Sequence, residues 1–123
     1  AVAGGIGRHL LFEGLQAGGL MDYSQYRELI PDVVFTDIEP AAEAVAGGIN
    51  AAQGYQSGLL LGVYRFGAGT FIINSLLIRE NLGPTPQADR LLRNLLRFAA
   101  RSAAQPPVGV PADFDAQIKA VGY

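Results

Sequence analysis

At 123 residues the chain has the length of one small domain, with no room for two, and a fold of that size buries roughly two-thirds of its unfolded surface. Half of the residues are hydrophobic and 16% are charged, which excludes disorder driven by low hydropathy and high charge, and 16 Gly with 7 Pro stay below the level of low-complexity chains. The net charge of −2 gives no general attraction to nucleic acid or to an anionic membrane, and zero Cys removes disulfides, zinc–thiolate sites and thiolate nucleophiles while leaving the cellular location unknown.

The chain starts Ala1-Val2-Ala3, with neither Met nor a basic segment before an apolar stretch, so its start reads as a cut in something longer. Residues 1–19 are Gly-rich and read as irregular, with one apolar cluster at Leu10, Leu11 and Phe12. Tyr23, Tyr26, Leu29 and Ile30 recur at helical spacing, and Pro31 ends that turn. Val33–Ile38, β-branched and aromatic between Pro31 and Pro40, predicts a strand, and the alanine-rich stretch Pro40–Ala46 before Gly47-Gly48 predicts a short helix. Leu59–Tyr64 is the longest apolar run; broken by Gly62 and followed by Arg65, it is far short of the ~20 residues of a membrane span. Residues 58–74 form two strand-like runs around Gly67-Ala68-Gly69, a β-hairpin signature, and their near-continuous apolar character predicts burial on both faces in an α/β sheet.

The best helix follows, with Thr85 as a possible cap, Pro86 at the first helical position, Asp89 near the positive end of the dipole, and a stripe of Leu91, Leu92, Leu95, Leu96 and Ala99 extended by Ala88 and Ala103. Pro106-Pro107 stops it. Residues 106–123 read as a linker and a short docking helix, with Phe114, Ile118 and Val121 on one face. No period of 20–50 residues repeats, which excludes solenoids and propellers.

Few residues point to chemistry. In Gly4-Gly5-Ile6-Gly7, Gly5 and Gly7 fit the first two positions of a dinucleotide fingerprint, but Leu10 stands at the third and no strand precedes them, so a flexible end is the better reading. His9 is the only histidine, so a Ser–His–acid triad would need it; Ser24, Ser57, Ser75 and Ser102 all lie outside a nucleophile-elbow motif. Among the carboxylates Glu13, Asp22, Glu28, Asp37, Glu39, Glu43 and Glu80, solvated surface charge outweighs a glycosidase pair, and no metal-ligand spacing stands out. Arg90, Arg93, Arg97 and Arg101 stripe one helix face, which reads as solvated or set against an acidic neighbour. The sites are therefore none for catalysis, none for a cofactor and none for a metal.

Residues 55–83, from Tyr55-Gln-Ser-Gly through the Gly67-Ala-Gly turn to Asn81-Leu-Gly83, followed by Ala88-Asp-Arg-Leu-Leu-Arg-Asn-Leu-Leu-Arg-Phe-Ala99, resemble the end of glutamine-amidotransferase-like domains. These are the non-catalytic appendages of large bacterial glycoside hydrolases related to family 2 β-galactosidases. Phe12-Glu13-Gly14-Leu15 is similar to a turn found upstream in such domains. The resemblance implies a flavodoxin-like α/β sandwich, here partial, ending in the β-hairpin and helices. It also implies a catalytic Cys with a His and Glu after a late strand, and this chain has no Cys and no His in residues 74–81, so that glutamine hydrolysis is not expected.

The expectation is a single, partial α/β domain over residues 1–123, serving as a non-catalytic accessory or oligomerisation region of a bacterial carbohydrate-active enzyme. No catalytic activity is expected from this chain alone. A half sheet exposes an edge and an apolar face, which predicts a partner: the remainder of a larger polypeptide, a companion chain, or a second copy. The alternatives are a small hydrolase using Glu or Asp, with or without His9, and a sugar-binding module resting on Tyr23, Tyr26 or Tyr64; zero Trp weakens the latter.

Overall fold

A computed structural model of the chain describes residues 2–50 and 54–122. Its strands are β1 (Val2–Ile6), β2 (Gly19–Leu20), β3 (Glu43–Asn50), β4 (Gln56–Phe66) and β5 (Gly69–Asn74), and its helices are α1 (Tyr23–Tyr26), α2 (Pro86–Ser102) and α3 (Phe114–Ala120). Helix and strand are mixed, as an α/β reading expects. The five strands form one sheet in the order β2-β1-β3-β4-β5. All four pairings are antiparallel, unlike the parallel strands on which a flavodoxin-like sandwich is built.

The glycine-rich start is a strand, not a flexible end and not a nucleotide loop. Gly4 pairs with Gly48 and Gly5 with Gly47, so β1 and β3 meet along a strip of bare backbone. A Cβ at Gly4 would collide with the Met21 sulfur and press on Leu60, so the missing side chain is what lets Met21 lie buried against the sheet. The predicted helix at 40–46 is likewise corrected, since residues 43–50 are β3. The helix preference of the alanines is overridden by the ladder that β1 and β4 offer on both sides.

The hairpin is present as read, turning at Gly67-Ala68 with Gly67 at φ 56°, where glycine is needed. Its burial differs from the expectation of two covered faces. The β3–β4 ladder slips twice, with Val45 extra on one strand and Leu60 extra on the other. Two neighbours in each strand, Val45-Ala46 and Leu60-Leu61, are consequently both buried. Beyond the slip the pleat alternates: Leu61, Val63 and Ile72 join the core, whereas Tyr64 pairs with Phe71 on the opposite, outer face, where Phe71 remains 57% exposed. The continuous apolar run thus records two bulges and a half-covered face.

The predicted strand Val33–Ile38 contributes a single bridge, Phe35 to Leu59, on the β4 edge just beyond the end of β5. The segment then leaves the sheet through Asp37, whose φ of 54° breaks an extended run. The core lies on one side of the sheet, where Leu11, Phe12, Tyr26, Leu29, Ala88 and Leu91 pack against Leu60, Leu61 and Val63. Helix α2 is rotated from the leucine stripe: Ala88, Leu91, Asn94 and Ser102 are buried, whereas Leu96 is 64% exposed. Thr85 makes no side-chain cap bond, and Asp89 instead accepts the Gly83 N–H at 2.9 Å. The final segment straps the hairpin tip: Val108 N–H donates to the Gly67 carbonyl at 2.7 Å, Arg65 donates to the Pro106 carbonyl at 2.6 Å, and Phe114 packs on Phe66 with ring centroids 5.1 Å apart. Val121, read as part of the docking face, is exposed.

Candidate functional site

His9 caps a 3-10 turn at Leu10–Phe12. Its Nδ1 accepts the Leu11 N–H at 3.1 Å, which leaves the proton on Nε2, 3.5 Å from Glu43 Oε2. The ring also packs against Phe98 at 5.2 Å. With Nδ1 occupied and Nε2 facing a carboxylate, the imidazole offers no free lone pair for proton abstraction. The serines stand elsewhere. Ser24 Oγ donates to Asp22 Oδ1 at 2.8 Å, Ser75 Oγ donates to the Leu60 carbonyl at 3.2 Å, Ser57 is exposed on β4, and Ser102 is buried at the end of α2.

The turn at residues 12–15 and the start of α2 form one clamp. Asn94 Nδ2 donates to the Leu11 carbonyl at 2.9 Å and to the Glu13 carbonyl at 3.0 Å, and Arg90 Nε donates to the same Glu13 carbonyl at 3.0 Å. Gly14 turns at φ 77°, and a Cβ there would strike the Arg90 guanidinium. A sequence reading built on the leucines overlooks Asn94, which is 3% exposed; the signal was its place in the series Ala88, Leu91, Asn94, Phe98 at helical spacing. Its Oδ1 is buried without a partner among the described residues, beside a cavity of about 10 Å³ bordered by Leu10, Phe98, Arg97 and Arg101. Of the arginine stripe, Arg90 belongs to the clamp, and Arg93, Arg97 and Arg101 are exposed.

The carboxylates are dispersed over separate elements. Asp22 caps α1 by accepting the Ser24 N–H at 2.8 Å, and the two bonds from Ser24, backbone first and hydroxyl second, hold its carboxyl below the usual carboxylate range. Glu43 faces His9, Asp37 and Glu39 lie on the segment that crosses the outer face of the sheet, and Glu13, Glu28 and Glu80 are exposed. No group of three or more His, Cys, Asp or Glu among the described residues could hold a metal ion.

The outer face carries the larger feature. A groove there has a cavity of about 390 Å³ bordered by Phe35, Asp37 and Leu59, and continues into one of about 470 Å³ bordered by Ile38, Tyr64, Phe71, Ile73 and Pro111. The Tyr64 hydroxyl, which donates to the Glu39 carbonyl at 2.6 Å, stands between the two. Of the other tyrosines considered for a sugar platform, Tyr26 is fully buried and donates to the Gln16 carbonyl, and Tyr23 is exposed with Arg27 5.6 Å from its ring centre. Comparison of the chain with protein-family models, curated proteins and solved structures finds no match to any of the three.

Proposed function

We propose that this chain is a non-catalytic accessory module of a bacterial carbohydrate-active enzyme, the parent being a glycoside hydrolase whose catalytic carboxylates lie outside these residues. The observation that supports this reading is the meeting of its motifs in space. Phe12-Glu13-Gly14-Leu15, Asn81-Leu-Gly83 and Ala88–Ala99 carry the resemblance to glutamine-amidotransferase-like appendages. Arg90 and Asn94 grip the first of these motifs, and Asp89 holds the Gly83 N–H of the second. The polar side chains of Asp89, Arg90 and Asn94 serve backbone groups, which gives these three a folding role in place of a chemical one.

The flavodoxin-like assignment belongs to the same proposal. Helices and turns cover one face of the sheet, and the other carries an apolar groove under two irregular segments. Two layers with an open third suit part of a three-layer sandwich, and the antiparallel pairing throughout the sheet is where this chain departs from that pattern. The module then acts by contact, in assembly or in placing neighbouring domains.

The test is to assay the purified chain against a panel of aryl-glycosides and against glutamine. No turnover is expected. Hydrolysis that is lost in Glu39→Gln or Glu43→Gln would overturn the reading in favour of a small carboxylate hydrolase.

A further inference from the structure

We propose that the free edge of β5 pairs antiparallel with β5 of a second copy of this chain, joining two sheets into one across a two-fold axis. This deepens the accessory reading, on which it rests, by naming the surface and its partner.

The sheet has two edges of different kinds. On one side lies β2, only two residues long; on the other lies β5, six residues long, whose ladder partner is β4. Among the described residues, no other element's backbone hydrogen-bonds to Gly69–Asn74. A strand edge offers alternating N–H and C=O groups, and what satisfies them is another extended backbone. Folded domains blunt such edges with charges, prolines or bulges, and Gly69-Thr-Phe-Ile-Ile-Asn74 carries none of these.

The chemistry of the edge selects a second copy. Two β5 strands facing each other oppose only uncharged residues (Gly, Thr, Phe, Ile and Asn), so self-pairing brings no like charges together, and the net charge of −2 per chain adds little repulsion. Antiparallel pairing is the geometry of every rung of this sheet, and a two-fold axis produces it from identical strands. Side chains on both faces gain from it. Phe71, 57% exposed on the outer face, meets the same apolar surface of the second copy, and the half-buried Ile72 extends the core face.

The test is sedimentation of the 123-residue chain up to a concentration on the order of 100 µM. The chain sediments as a dimer. Phe71→Lys, a change at an exposed position, weakens dimerisation by about tenfold or more because it places a charge from each copy in the apolar seam. Phe71→Val, which keeps an uncharged edge of high strand propensity, retains the dimer. The natural chain has no cysteine, so single cysteines at Thr70, Phe71, Ile72 or Ile73 report directly. One or two neighbouring positions at the axis form a disulfide-linked dimer under mild oxidation, and Arg93→Cys on α2 does not. A monomer throughout, a dimer indifferent to Phe71→Lys, or equal cross-linking at Arg93→Cys would overturn the proposal. A monomer without glycosidase turnover removes the pairing and leaves the accessory reading standing, whereas a dimer that hydrolyses glycosides removes the accessory reading and leaves the pairing.

Discussion

Asn94, in the middle of α2, donates its side-chain amide to the backbone carbonyl of Glu13, 81 residues earlier in the chain. The same amide holds the Leu11 carbonyl, so one buried side chain satisfies two acceptors at the end of the 3-10 turn. Replacing Asn94 by Ala should cost about 1–3 kcal/mol, chiefly because the buried Leu11 carbonyl loses its donor while the Glu13 carbonyl keeps Arg90. Asn94→Asp should cost more than the alanine, since a carboxylate would face two carbonyl oxygens with nothing to donate. Urea midpoints for the three proteins check both the size and the order.

Gly14 and Arg90 are coupled by contact. Gly14→Ala should destabilise by about 1–3 kcal/mol, through the positive φ and through the guanidinium that occupies the space of the new methyl group. In an Arg90→Ala background the steric part disappears and the backbone part stays. A double-mutant cycle by thermal melting should therefore show clear non-additivity.

The rotation of α2 is tested by two leucines five positions apart. Leu91→Ala should cost about 2–5 kcal/mol because Leu91 is fully buried in the core. Leu96→Ala, at a position 64% exposed, should stay within about 0.5 kcal/mol. Similar losses at both positions would contradict the placement of the helix.

Burial, and then the nearby Asp22 charge, hold the Tyr26 hydroxyl above the ordinary tyrosine range. A group whose pKa rises on folding binds its proton more tightly in the native state, so its contribution is complete below the unfolded value and is lost as pH rises through the native one. Stability should fall in the alkaline range, from the ordinary tyrosine value upward. Tyr26→Phe should lose about 1 kcal/mol near neutrality with the hydrogen bond to Gln16, and should flatten part of that alkaline slope. Chemical denaturation across the range reads both effects.

The parts of the fold legible in the sequence are those with strong local signals. The hairpin declared itself by apolar runs around a glycine turn, and α2 by its proline start and apolar period. What stayed hidden depends on distant partners. Gly4-Gly5 and Gly47-Gly48 carry almost no propensity of their own; they become strands because each supplies the other's ladder. Val33–Ile38 has the composition of a strand, yet only Phe35 finds a partner. At the candidate site, His9 and Arg90 could be named from sequence though their roles could not, and Asn94 was hidden among the leucines around it. Whether an imidazole is a base or a cap depends on which backbone N–H its Nδ1 meets, and here that is Leu11.

The unequal edges of the sheet also set the size of any assembly built from it. A pairing that joins two copies of β5 uses the long edge of each and leaves only the two-residue β2 at either end. So short a strand is a poor template for further addition. Growth of a sheet joined in this way would therefore stop at two chains, so that the strand lengths themselves would separate a closed pair from a filament.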